Sequence, residues 1–133
     1  MSYDIYLREP VTGEVANVPG HLMIGGTYKA DYHPETGTFT PALNTDAHLN
    51  VTYNYGGYYR EAYENGIREI YGMQGVDSIS VLENMISIII NKYKINEGDS
   101  SDYWLPTAAN ALRPLYQLVA LAKMRPDCIW DGD

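Results

Sequence analysis

The sequence predicts an α+β domain in which a small antiparallel sheet from the N-terminal half packs against about three C-terminal helices. Residues 3–7 and 48–55 alternate apolar and polar side chains with the period of two that a half-buried strand requires. From Gly57 onward the apolar period becomes 3.6, the mark of amphipathic helices. Strands thus precede helices without βαβ alternation or an internal repeat, an order that segregates helices to one face of an antiparallel sheet. At 133 residues the chain is short enough for one domain: strand-rich over 1–56, helical over 57–125, with a tail at 126–133.

Each element follows from its residues. In the first strand Tyr3, Ile5 and Leu7 share one face, and Asp4 and Tyr6 the other. Pro10-Val11-Thr12-Gly13 supplies a turn, and 14–18 returns as a short strand that Pro19-Gly20 ends. Gly25-Gly26 leads into 27–32, and His33-Pro34-Glu35-Thr36-Gly37 turns the chain toward 38–40, giving a hairpin. Leu49, Val51, Tyr53 and Tyr55 form the inner face of the strand at 48–55.

A helix over 58–71 buries Tyr59, Ala62, Tyr63, Ile67, Ile70 and Tyr71, with Asn65-Gly66 loosening or dividing it and Gly72 ending it. Asp77 or Ser78 caps a second helix striped by Val81, Leu82, Met85, Ile86, Ile89 and Tyr93. After a polar loop at 96–101, Thr107 caps a third helix that runs to about Met124 and is apolar almost all round. Pro114 contradicts its interior, so a kink, or a helix whose regular part starts there, is expected. Arg125-Pro126-Asp127 stops it, and the tail folds Ile129 and Trp130 back on the core.

Composition excludes several functions. With 45% apolar and 20% charged residues the chain can bury enough surface to fold, which argues against disorder. Its 17 acidic and 9 basic side chains give a formal net charge of −8, spread along the whole length. Lys92 and Lys94, then Lys123 and Arg125, come nearest to a basic cluster, so direct binding to nucleic acid or membrane is not expected. Met1-Ser2-Tyr3-Asp4 opens no signal peptide and no apolar run reaches about 18 residues, which points to the cytoplasm. The Asn50-Val51-Thr52 sequon then carries no glycan.

Catalytic and metal-binding patterns are sparse. Asp31-x-His33 and Asp46-x-His48 each place a carboxylate and an imidazole on one face of an extended segment, a donor set that suits zinc. Nothing in the sequence brings the two pairs together, and no metal or other cofactor is expected. Cys128 is flanked by Asp127, Asp131 and Asp133, which oppose a thiolate. Gly25-Gly26-Thr27 lacks the lysine and spacing of a phosphate loop, and no serine sits in a G-x-S-x-G elbow.

The unusual feature is 13 tyrosines against one phenylalanine. Periodicity assigns Tyr53, Tyr55, Tyr59, Tyr63 and Tyr71 to the core. Tyr28, Tyr32, Asn54, Tyr58 and Arg60 remain as the candidate binding surface, since tyrosine offers wide contact area with a polar tip at little entropic cost.

Gly25-Gly26-Thr27-Tyr28, Leu49-Asn50-Val51-Thr52-Tyr53-Asn54-Tyr55, Gly66-Ile67-Arg68 with Tyr71-Gly72, Asp102-Tyr103-Trp104 and the closing 121–133 resemble a family of small uncharacterised proteins of bacterial genomes and of phages or prophages. The stretch 31–46 is longer than in that pattern, which weighs against the two Asp-x-His pairs as a shared site. The resemblance implies a small accessory factor in the host cytoplasm that binds a host or defence protein. The expected function is therefore a non-enzymatic acidic binding protein, in its sharpest form an anti-defence or anti-CRISPR inhibitor seated in a basic groove. The alternatives are a pocket protein or metal-dependent enzyme that takes a polar ligand between the sheet and the helix at 58–71, and a self-associating structural protein.

Overall fold

The computed structural model describes residues 1–23, 29–95 and 105–133, with the side chains of Lys29, Ala30 and Pro41 left aside. Tyr28, the glycines before it and the polar loop expected at 96–101 lie outside the described residues. The chain runs through strands β1 (Ser2–Arg8), β2 (Asn17–His21), β3 (Lys29–His33), β4 (Thr38–Ala42), β5 (Asn44–Asp46) and β6 (His48–Thr52). Helices α1 (Gly56–Ala62), α2 (Gly75–Tyr93) and α3 (Ala108–Met124) follow, then strand β7 (Ile129–Gly132); short 3-10 turns occupy Tyr53–Tyr55 and Gly66–Ile70. The architecture is α+β, as its order of periodicities predicts.

The period-two pattern of β1 makes it the middle strand of the main sheet, antiparallel to β6 on one side and β7 on the other. Register places Tyr3 opposite Val51, Ile5 opposite Leu49 and Leu7 opposite Trp130, and all six side chains are buried on one face. The helices α2 and α3 pack together against the sheet, and their Leu82, Met85, Ile89, Leu115, Leu118 and Ala122 join that face in one buried cluster. The outer face is polar. There Asn50 donates to Asp4 at 2.9 Å, His48 stacks on Tyr6 at 4.3 Å and Arg8 pairs with Asp131 at 2.8 Å.

Several boundaries differ from expectation. Glu14 is not part of a strand, and β2 carries on through Pro19-Gly20 to His21, because a register shift between Asn17 and His21 spares proline a ladder bond. β6 ends at Thr52, since the Thr52 hydroxyl accepts the Asn54 amide at 3.2 Å and starts a 3-10 turn, so Tyr53 and Tyr55 do not belong to the strand. The helix expected over 58–71 is divided: α1 stops at Ala62, Gly66 takes a φ of +60° that favours glycine, and the rest is 3-10.

Neither Asp77 nor Ser78 caps α2. The helix starts at Gly75, whose N–H donates to the Cys128 carbonyl at 2.7 Å while that of Val76 donates to Pro126 at 3.0 Å. These long-range carbonyls satisfy amides that a side-chain cap would otherwise serve. Thr107 caps α3 as expected, and the helix continues on both sides of Pro114 instead of beginning there. One turn earlier the buried Tyr59 hydroxyl donates to the Ala111 carbonyl at 2.7 Å. In the tail, Trp130 is 1% exposed but Ile129 is 36% exposed, because strand alternation turns the isoleucine outward. No described helix is long and apolar enough to cross a membrane.

Candidate functional site

The 3-10 turn after β6 and the division of the helix at Gly66 bring four side chains around one open cavity of about 280 Å³: Tyr3, Tyr53, Arg60 and Arg68. Tyr3 comes from the inner face of β1 and meets Tyr53 edge to face, with ring centroids 4.5 Å apart. Arg60 projects from α1. Arg68 comes from the following 3-10 turn and lies over the Tyr3 ring, its guanidinium carbon 4.9 Å from the centroid, a favourable cation–π placement.

Two glycines make room for this arrangement. A Cβ on Gly56 would stand 2.6 Å from the Tyr3 hydroxyl oxygen and 2.9 Å from Arg60 Nη1, so only glycine lets both groups approach the backbone there. A Cβ on Gly66 would lie 3.2 Å from Arg60 Cγ. Arg68 is oriented by its Nε, which donates to the main-chain oxygen of Asp133 at 2.8 Å.

The electrostatics of the cavity oppose those of the chain. Of the acidic residues near the two arginines, Glu61 accepts from the Tyr93 hydroxyl and pairs with Lys92, Glu69 accepts from Asn65, and the Asp133 side chain accepts from the Asp4 amide while its main-chain oxygen accepts from Arg68. Beside the cavity, the Tyr71 hydroxyl is buried and has no hydrogen-bond partner among the described residues. Burial raises its pKa above the usual tyrosine range; Asp133 adds to that shift and Arg68 opposes it. The described lining of the cavity is made of guanidinium and phenol donors, with no carboxylate, imidazole or thiol. Such a set can hold an anion by charge-assisted hydrogen bonds but offers no obvious base or nucleophile.

The candidate surface residues separate in space. Arg60 belongs to the cavity. Asn54 is exposed on the turn that carries Tyr53. Tyr58 is half-buried instead of presented to solvent, because its hydroxyl donates to the Pro106 carbonyl at 2.6 Å and its ring meets Tyr93 at 5.1 Å. Tyr32 sits on the β3–β4 hairpin, 56% exposed and 4.9 Å from the 67% exposed Phe39. Tyr3, Tyr53 and Arg68 were not among the sequence candidates; only the alternating tyrosines and the Gly66-Ile67-Arg68 break hint at them.

The Asp-x-His residues serve other ends. His33 shares a hydrogen bond with the Thr40 hydroxyl at 2.8 Å beside exposed Asp31. The main-chain oxygen of Asp46 contacts His21 Nε2 at 3.0 Å, and His48 contacts Asp4 Oδ1 at 3.1 Å on the outer face of the sheet. Among the described residues, the set of three ligand-type side chains close enough to share a cation is Glu9, Asp127 and Cys128, which includes none of these four. The Arg125 guanidinium already pairs with Glu9 at 2.8 Å and with Asp127 at 3.1 Å. Cys128 is fully buried, and burial pushes its thiol up to about 11, against any nucleophilic use.

No family model matches the chain, and neither a curated protein nor a solved structure matches it.

Proposed function

We propose that the protein is a non-enzymatic binding protein that recognises an anionic group of its partner in the cavity of Tyr3, Tyr53, Arg60 and Arg68. One observation carries this reading. In a chain with 17 acids and 9 bases, Arg8, Lys92, Lys123 and Arg125 hold carboxylates, whereas Arg60 and Arg68 face a common cavity whose described lining holds no carboxylate. Two guanidiniums facing one cavity repel each other, and an anion between them relieves that cost.

The exposed Tyr32–Phe39 pair favours a macromolecular partner, since aromatic anchors of this kind supply contact area around a polar recognition point. The narrower setting, a phage or prophage factor acting on a host defence protein such as a CRISPR nuclease, is supported by the sequence resemblance and by the acidic charge that suits a basic groove.

Thermal unfolding across a panel of inorganic and organic anions tests the reading, because a ligand that binds only the folded state raises Tm by mass action. Anions should raise Tm of the native protein and not that of a folded Arg60→Gln/Arg68→Gln variant. Equal responses of the two would contradict it.

A further inference from the structure

We infer that the group held in this cavity is a phosphomonoester in its dianionic form. The inference rests on the anion-binding reading above and names the ligand chemistry. Charge is the first argument: Arg60 and Arg68 together bring two positive charges to a described lining with no carboxylate, and two cations attract a dianion more strongly than a monoanion.

Geometry is the second. Arg68 Nε is already committed to the main-chain oxygen of Asp133, which removes the side-on edge, Nε with one Nη, from bidentate pairing. Its guanidinium also lies over the Tyr3 ring. A planar carboxylate finds its best partner in one complete Arg fork, whereas a tetrahedral group with three terminal oxygens can accept single bonds from several directions. Here the lining comes from four separate segments: Tyr3 from β1, Tyr53 from the turn after β6, Arg60 from α1 and Arg68 from the next 3-10 turn.

Size is the third. A cavity of about 280 Å³ falls just below the range of roughly 300–1,000 Å³ that encloses drug-sized ligands, which suits a head group whose remainder projects into solvent. Its tyrosine walls can contact an aromatic or sugar moiety carried by the ester.

Calorimetric titration of the intact protein with phenyl phosphate, inorganic phosphate, adenosine monophosphate, sulfate and acetate, at pH 7.5 and 5.0, tests the inference. A phosphomonoester has a second pKa near 6, so its affinity should fall about tenfold at the lower pH. Sulfate remains dianionic at both values and serves as the control, with little change. Tighter binding of the esters than of inorganic phosphate assigns the site to an ester, and equal binding assigns it to free phosphate. Acetate binding as tightly as phenyl phosphate, or phenyl phosphate binding that is no weaker at pH 5.0, would overturn the dianion inference while leaving anion binding intact. Absence of saturable binding by every anion, or equal binding to folded Arg60→Gln/Arg68→Gln, would overturn the underlying reading as well.

Discussion

The indole N–H of Trp130 donates to the Ser78 hydroxyl at 2.7 Å, and that hydroxyl donates in turn to the Gly75 carbonyl at 2.7 Å. This buried relay ties the last strand to the first turn of α2. Ser78→Ala leaves the indole donor unpaired in a dry environment and should cost about 1–3 kcal/mol. Urea unfolding monitored by circular dichroism measures it, and a midpoint equal to that of the native protein would contradict the relay's role.

Two glycines separate fold from site. A Cβ at Gly132 would stand 2.6 Å from the Asp4 carbonyl oxygen and from the Tyr71 ring, so Gly132→Ala pushes against a neighbouring strand's backbone and should cost on the order of 1–3 kcal/mol. A Cβ at Gly56 meets the side-chain ends of Tyr3 and Arg60 instead of backbone. Gly56→Ala should therefore retain the fold but weaken anion binding, as unfolding curves and calorimetry on the two variants would show.

Acid should weaken the fold through particular carboxylates. Asn50, and after it His48, holds the Asp4 carboxyl below its ordinary 3.8; Arg125 does the same for Asp127. A carboxyl with a depressed folded-state pKa contributes stability above its unfolded value and loses it as pH falls through the folded one. Urea midpoints should thus decline as pH drops below about 3.8. The decline should be shallower in Asp127→Asn and in Arg125→Gln.

Alkaline titration reports on two tyrosines. Glu61, hydrogen-bonded to the Tyr93 hydroxyl, pushes that phenol up to about 12, and burial raises Tyr71 further. Ultraviolet absorbance should show tyrosines that ionise well above 10, and Glu61→Gln should bring one of them down. An unchanged titration in that variant would contradict the Tyr93–Glu61 bond.

The sequence carries the fold class more clearly than the site. The alternation of Tyr3, Ile5 and Leu7 and the stripe of Leu82, Met85 and Ile89 are local signals, and both elements form where their periods place them. The start of α2 was hidden because its amides are met by carbonyls at 126 and 128, some fifty residues away. The tail's role as a third strand is equally non-local, fixed by register with β1. At the site, Arg60 stood out as a surface charge. Tyr53 looked like core because a strand through 55 would turn it inward, and the Thr52 side chain, which ends that strand, redirects it toward the cavity. The helical period over 58–71 leaves Arg68 on the polar side, opposite Tyr59 and Ile67, and positive φ at Gly66 precedes the 3-10 turn that sets it over Tyr3.

Site-resolved NMR of the arginine Nε–H groups during titration with phosphate tests anion recognition most directly. Saturable shifts should be confined to Arg60 and Arg68, accompanied by the ring signals of Tyr3 and Tyr53, while Arg8, Arg113 and Arg125 stay in place. Shifts that fail to saturate, or that spread equally over all the arginines, would contradict it.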